Sequence, residues 1–145
     1  MEYLHSSLRY LIIFFLVSSI FISFTKWRGK KPFTKGDKMT YLMTLIFCHI
    51  QLIVGFVLFF MKNYHQNFSK MGEIMKIPRD RFFTIEHTLV MLVAIAIITI
   101  GYSSAKRATD ETAKHKKTFI FYLIGFILII ASIPWPFRGF GNDWF

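Results

Sequence analysis

Four long apolar segments constrain the fold of this chain more than any other feature of its sequence. They cover residues 8–24, 39–61, 82–102 and 118–135. Each has about 17 to 23 residues, the length at which an α-helix crosses the hydrocarbon core of a bilayer. Strands of a membrane barrel would be about half as long and would alternate apolar with polar residues. The sequence therefore predicts an all-α integral membrane protein, with residues 1–145 forming one up-down bundle of four transmembrane helices.

The composition excludes most classes of soluble protein. Of the 145 residues, 54% are hydrophobic and only 18% are charged, whereas soluble domains have about 25% charged residues. Too few polar side chains remain to cover a water-soluble enzyme. The single cysteine, Cys48, lies inside the second apolar segment and has no partner for a disulfide. No nucleotide-binding or hydrolase motif is present, so the sequence assigns no catalytic residue and leaves enzymatic activity undecided.

The formal net charge of +10 comes from Lys and Arg residues that lie mostly between the apolar segments. This placement is typical of membrane-protein loops that meet anionic lipid, and it argues against nucleic acid as a partner. The connections after the first and third segments carry eleven Lys and Arg residues, and the opposite side carries seven. The positive-inside rule then predicts that both termini lie outside the membrane.

A few ionisable side chains fall within or beside the apolar segments, where such groups are costly and usually functional. His49 lies midway through the second segment, and Glu86 and His87 lie near the start of the third. His5 and Arg9 flank the start of the first. In an up-down bundle the first and third segments begin on the same side. We therefore expect all of these groups except His49 to share the outer leaflet.

These residue types indicate a haem site. Neutral imidazole is the usual axial ligand of haem iron and a common ligand of copper or zinc, and helix bundles hold cofactors between facing side chains. We predict that His49 and His87 are the metal-ligating pair of a haem b, with His5 as a reserve ligand. Arg9 would pair with the haem propionates, and Glu86 would accept a hydrogen bond that orients an imidazole.

Helical periodicity adds two expectations. The second segment carries a stripe of small and polar residues, which we expect to serve helix packing. The stripe consists of Thr44, Cys48, Gln51 and Gly55. His49 is rotated from it by about 100°, so the two faces must meet different neighbours. His65 and His115 are predicted to lie in loops.

The same polar groups allow two other interpretations. Interhelical hydrogen bonds stabilise membrane bundles by about 1 kcal/mol each, and Arg9 with Glu86 would form a simple ion pair. The chain would then be a cofactor-free structural or assembly subunit of a membrane complex. Alternatively, His5, His87 and Met91 would bind copper in a metal-handling protein. The residues alone leave these alternatives open.

Four short blocks contain most of these polar groups and resemble a known group of proteins. The blocks are residues 4–10 (LHSSLRY), 49–52 (HIQL), 81–87 (RFFTIEH) and 133–138 (IPWPFR). They are similar to small four-helix inner-membrane proteins of Bacteroidetes-type bacteria known as cytochrome b or cytochrome b561-like, and the likeness covers nearly the whole chain. The resemblance implies a b-type haem and electron transport, with a quinone or another redox protein as partner. It also implies the bacterial inner membrane, where termini that lie outside by the positive-inside rule are periplasmic. The sequence leaves open whether the chain forms a homo-oligomer or is a subunit of a larger complex.

Overall fold

The computed structural model describes residues 1–144, and four long helices account for most of them. These helices are α1 (Glu2–Arg28), α2 (Lys35–Met61), α3 (Pro78–Arg107) and α4 (Glu111–Ser132). Each is long and apolar enough to cross a membrane, and the described residues contain no strand. The prediction of an all-helical chain with four candidate membrane spans is confirmed.

Two of the helices begin well before their apolar segments, because side chains cap their first turns. The hydroxyl of Thr34 accepts the backbone N–H of Asp37, and the Asp37 carboxylate accepts the N–H of Thr34. This capping box starts α2. In the same way, the Asp110 carboxylate accepts a backbone hydrogen bond at 3.0 Å and starts α4. Hydropathy does not detect such polar first turns.

The early start of α4 corrects one prediction. His115 was expected in a loop, but it lies in the second turn of α4 and is fully buried. At its other end α4 stops at Ser132, three residues before the predicted end at Trp135. Ile133 already has an extended conformation, which proline imposes on the residue that precedes it.

The connection between α2 and α3 is helical and not an open loop. It contains a 3-10 helix, Tyr64–Lys70, which includes His65, and one α-helical turn, Met71–Ile74. Helix α3 then includes a π-helical segment, Phe82–Glu86, which ends immediately before His87. Such π segments often occur at functional sites.

The helices are arranged as an up-down bundle in which each packs against its neighbours in sequence, and α1 also packs against α4. The closest approach is between α3 and α4. There Gly101 lies against Phe121, and a Cβ added at Gly125 would lie 2.5 Å from Cγ1 of Ile98. Glycine at these positions lets the two backbones approach, as is common between helices in lipid. Neighbours α2 and α3 pack least closely.

The surface of the bundle is apolar and its interior is partly polar. Phe14, Phe21 and Ile53 are each more than 60% exposed, whereas Ser19 and Thr44 are fully buried and share a hydrogen bond of 2.8 Å. This distribution is the one expected for a bundle that is surrounded by lipid, where polar groups pair with each other inside. It is consistent with a membrane protein.

Candidate functional site

A cavity of about 210 Å³ lies inside the bundle at the end where α1 begins. All four helices contribute to its wall. A buried water requires about 10 to 15 Å³ on this measure, so the cavity can hold a ligand of considerable size. Its polar lining residues include His5 and Arg9 from α1, Gln51 from α2 and His87 from α3. The rest of the wall is formed by small or apolar residues, with Cys48 at the deep end. They include Gly55, Phe56, Met91, Ile95 and Ile129.

One ring nitrogen of His87 is held by the backbone of the next helix. Its Nδ1 lies 2.8 Å from the carbonyl oxygen of Ser132 at the end of α4. Because a carbonyl only accepts hydrogen bonds, Nδ1 must carry the proton, and a neutral ring then has a free lone pair on Nε2. Metal-binding histidines are usually oriented in this way.

His5 lies near His87 in the lining of the cavity. The two ring centres are 6.3 Å apart and the rings are tilted by 73°. His5 packs on Gly55, where an added Cβ would lie 3.2 Å from Cε1 of the imidazole. Nδ1 of His5 is buried and has no hydrogen-bond partner. The backbone carbonyl of His5 accepts from Nε2 of Gln51 at 2.8 Å, and Oε1 of Gln51 is also buried without a partner.

Arg9 brings a positive charge to the edge of the cavity. It is only 9% exposed, and its Nη2 donates to the Tyr10 hydroxyl at 3.1 Å and to the Trp144 carbonyl at 2.6 Å. The guanidinium lies 5.4 Å from the centre of the Trp135 ring, within cation–π range. Its Nε has no partner, and no carboxylate of residues 1–144 forms an ion pair with it.

Two of the predicted site residues lie elsewhere. Glu86 does not pair with Arg9 as expected, and it does not orient His87, because its carboxylate binds Nε of Arg81 at 2.7 Å. His49 does not line the cavity. Its Nδ1 lies 2.8 Å from the carbonyl of Leu45 in its own helix, and its Nε2 lies 3.5 Å from the Thr99 hydroxyl of α3. The structure therefore brings together His5, Arg9 and His87, and leaves His49 and Glu86 outside.

The two faces of α2 meet different neighbours, as the sequence indicated. The stripe of small and polar residues packs on α1: Thr44 binds Ser19, Gln51 binds the His5 carbonyl and Gly55 contacts the His5 ring. The face with His49 meets Thr99 of α3. The stripe has a second role, since Cys48, Gln51 and Gly55 also line the cavity.

The donor atoms in the cavity suit a metal with few protein ligands. Among residues 1–144, no three His, Cys, Asp or Glu side chains cluster as a metal site. A structural zinc site, which needs four protein ligands, is therefore not built by those residue types in this part of the chain. Two facing imidazoles are the number of ligands that a haem iron takes from the protein in b-type cytochromes.

Sequence reasoning missed a second polar cluster, at the opposite end of the bundle. There Nδ1 of His115 lies 2.9 Å from the Tyr41 hydroxyl, and its Nε2 lies 3.3 Å from the Pro32 carbonyl. Asp37 lies 3.8 Å from the same Nε2 and forms two 2.7 Å contacts with Lys26. The spacing of Asp37 and Tyr41 continues the stripe of Thr44 and Cys48, and this periodicity was the available signal.

Comparisons with family models, curated proteins and solved structures found no match to this chain. The resemblance to cytochrome b561-like proteins therefore stays a prediction. The function has to be inferred from the residues of the cavity.

Proposed function

We propose that this chain is a small b-type cytochrome-like membrane protein, with a haem b between His5 and His87. The observation that carries the proposal is the pair of imidazoles in the cavity lining, whose ring centres are 6.3 Å apart. Metal–imidazole bonds are about 2 Å long, so His5 and His87 are close enough that both would reach one metal ion. His5 thus replaces His49 as the proposed second ligand.

The other lining residues fit a haem as well. Nδ1 of His87 is tied to Ser132, so its Nε2 lone pair is available for iron. Arg9 has no carboxylate partner among residues 1–144, and haem propionates would supply one. The apolar wall, which includes Phe56, Ile95 and Ile129, would cover the flat macrocycle and keep water from it.

When bound, a haem supplies a one-electron carrier, and the chain supplies its position and surroundings. His87 is held in one tautomer by a backbone carbonyl, and the His5 ring is fixed by its packing on Gly55. The cavity lies near one end of the bundle, so these residues would hold the group close to a partner on that side. We propose a quinone or another redox protein as the partner.

The membrane placement belongs to the same proposal. The apolar outer surface and the bias of eleven basic residues against seven support four helices that cross the bacterial inner membrane. The positive-inside rule then puts both termini, and the cavity with them, on the periplasmic side.

An absorbance spectrum of the purified protein tests the haem. We expect a Soret band that shifts on reduction and disappears in His87→Ala and in His5→Ala. His49→Ala is the matched control, because this histidine lies outside the cavity, and it should keep the band. A protein without a Soret band after haem supplementation, or a band that depends on His49 and not on His5, would contradict the proposed site.

Met91 supports a second candidate, a copper site. This thioether lines the same cavity as His5 and His87, and imidazole with thioether is a ligand set that copper accepts. Elemental analysis of the haem-free protein decides this: copper near one ion per chain, reduced in Met91→Leu, would favour it. If neither haem nor copper binds, a cofactor-free structural or assembly subunit is the better description.

A further inference from the structure

The last residues of the chain turn back over the cavity. After α4 the chain forms a short 3-10 helix, Pro136–Arg138. Gly139 and Gly141 follow with φ angles of 75° and 74°, in the left-handed region that glycine enters without strain. This path brings Asn142 and Asp143 to the edge of the cavity, where they form part of its lining.

One backbone oxygen fastens this segment to α1. The carbonyl of Trp144 accepts from Nη2 of Arg9 and from the Tyr10 hydroxyl, each at 2.6 Å. The Trp144 ring lies 6.0 Å from the Trp135 ring, which also contacts the Arg9 guanidinium. Arg9, the one charged side chain buried at this end, is thus held by the C-terminal segment of the same chain.

These contacts can be exchanged for those of a ligand. A guanidinium binds a carboxylate roughly twice as strongly as it binds a neutral carbonyl, and Arg9 lacks a carboxylate among the described residues. The Trp144 carbonyl occupies a donor that an anionic ligand would use. The Trp144 side chain is 53% exposed, so its release would lose little buried surface.

We propose that residues 141–144, which follow the Phe140 ring stacked on Phe82, form a releasable strap. The strap closes the cavity through the Arg9–Trp144 contact and is displaced by a ligand that carries a carboxylate. Closure of the cavity by the strap involves only residues of this chain and does not depend on which ligand binds. The identity of the ligand, a haem with its propionates, rests on the proposed function.

Cys48 provides a built-in reporter of the strap. It is the only cysteine, is 1% exposed and lines the deep end of the cavity. The rate at which a small charged methanethiosulfonate labels Cys48 in haem-free protein should rise at least about tenfold when the chain is truncated after Phe140, because this truncation removes the two hydrogen bonds to the Trp144 carbonyl and keeps the Phe140 ring on Phe82. Tyr10→Phe removes one of them and should raise the rate by a smaller factor.

Tyr3→Phe is the matched control, since Tyr3 is on the same helix and 77% exposed, and its labelling rate should equal that of the unmodified protein. The thermal midpoint of every variant is measured alongside. Faster labelling at an unchanged midpoint supports the strap. An unchanged rate in the truncated chain, or an increase fully explained by a lower midpoint, overturns it.

Displacement by a carboxylate is tested with two probes, hemin and hemin dimethyl ester, in which both propionates are blocked. Hydrogen exchange of residues 142–144 should increase when hemin binds and should stay unchanged with the ester. Equal exchange with both probes overturns displacement through Arg9. If neither probe binds, the proposed haem function fails. The strap is still tested in that case, because Cys48 labelling is measured on the haem-free protein.

Discussion

The two ends of the bundle each bury a histidine in a polar cluster, but only one end satisfies its hydrogen-bonding atoms. At the end near the α1–α2 connection, both nitrogens of His115 have partners, Tyr41 and Pro32. At the cavity end, four buried atoms of the lining residues have no partner among residues 1–144: Nδ1 of His5, Nε of Arg9, Oε1 of Gln51 and Oδ1 of Asn142. The two clusters use similar residue types and differ in what those residues contact.

This difference separates a structural cluster from a binding site. A buried polar group without a partner costs about 1 to 3 kcal/mol, and native proteins keep few of them. Four such atoms around one cavity indicate that a ligand or water completes their bonds. The satisfied cluster around His115 needs no ligand, and the Tyr122 hydroxyl extends it by donating to the Tyr41 carbonyl at 2.8 Å.

The largest expected effect comes from exchanging each histidine for leucine. His115→Leu removes two hydrogen bonds and leaves the Tyr41 hydroxyl and the Pro32 carbonyl buried without partners. We expect the free energy of unfolding in detergent to fall by about 2 to 4 kcal/mol. His87→Leu removes one bond at the border of a cavity, and the ligand-free protein should lose no more than about 1 kcal/mol.

The bound haem or metal should be affected in the opposite way: the variant that loses more stability should keep it, and the variant that loses less stability should lose it. His115→Leu should retain whatever the cavity binds, whereas His87→Leu should lose it. Equal losses of stability in the two variants, or loss of cofactor from His115→Leu at a temperature where it stays folded, would remove the distinction between the two ends.

A smaller effect is expected from single polar atoms. Tyr122→Phe deletes one satisfied hydrogen bond and should cost about 1 kcal/mol of unfolding free energy. Gln51→Leu loses the bond to the His5 carbonyl, but it also removes an unpaired acceptor, so its net effect on the ligand-free protein should be close to zero. Thermal unfolding of the two variants in the same detergent measures both. A Gln51→Leu variant less stable than Tyr122→Phe would show that Gln51 is structural.

Much of the fold could be predicted from the sequence because lipid imposes simple rules. Helix length follows from bilayer thickness. Helical spacing also puts Arg9, Leu16, Ser19 and Ser23 on one face of α1, and all four are buried in the structure. The missed features depend on polar helix ends. Capping side chains determine where α2 and α4 begin. Because hydropathy places the start of α4 at residue 118, it leaves His115 outside the helix in which the structure places it.

The pairing of site residues could be predicted only in part. Periodicity places His5 and Arg9 on one face of α1, and antiparallel packing brings that end close to His87. The choice of His49 as the second ligand rested on depth along its helix. Whether its ring reaches the cavity depends on rotation and on local partners, here the Leu45 carbonyl and Thr99. Helical periodicity showed that His49 is rotated away from the stripe of small and polar residues on α2, but it could not identify those partners.

The smallest expected effect concerns two ion pairs, one at each end. At the cavity mouth Lys62 pairs with Glu2, and both side chains are about half exposed or more. At the other end Lys26 pairs with Asp37, whose side chain is only 6% exposed. Salt screens exposed pairs and affects buried ones much less. Lys62→Gln should therefore cost less than about 0.5 kcal/mol at low salt and nothing measurable at 1 M salt, whereas the cost of Lys26→Gln should persist.

The contribution of Lys62 also has a defined pH dependence. The Glu2 carboxylate raises the pKa of the Lys62 ammonium above its ordinary value of 10.5. A pKa raised in the folded state adds stability that is complete below the unfolded value and is lost as the pH rises through the folded value. Unfolding curves of Lys62→Gln and the unmodified protein should differ slightly at pH 7 and coincide once the pH exceeds the raised pKa of Lys62. A difference in stability that persists at this high pH, or that does not change with salt concentration, would mean that packing and not charge stabilises the cavity mouth.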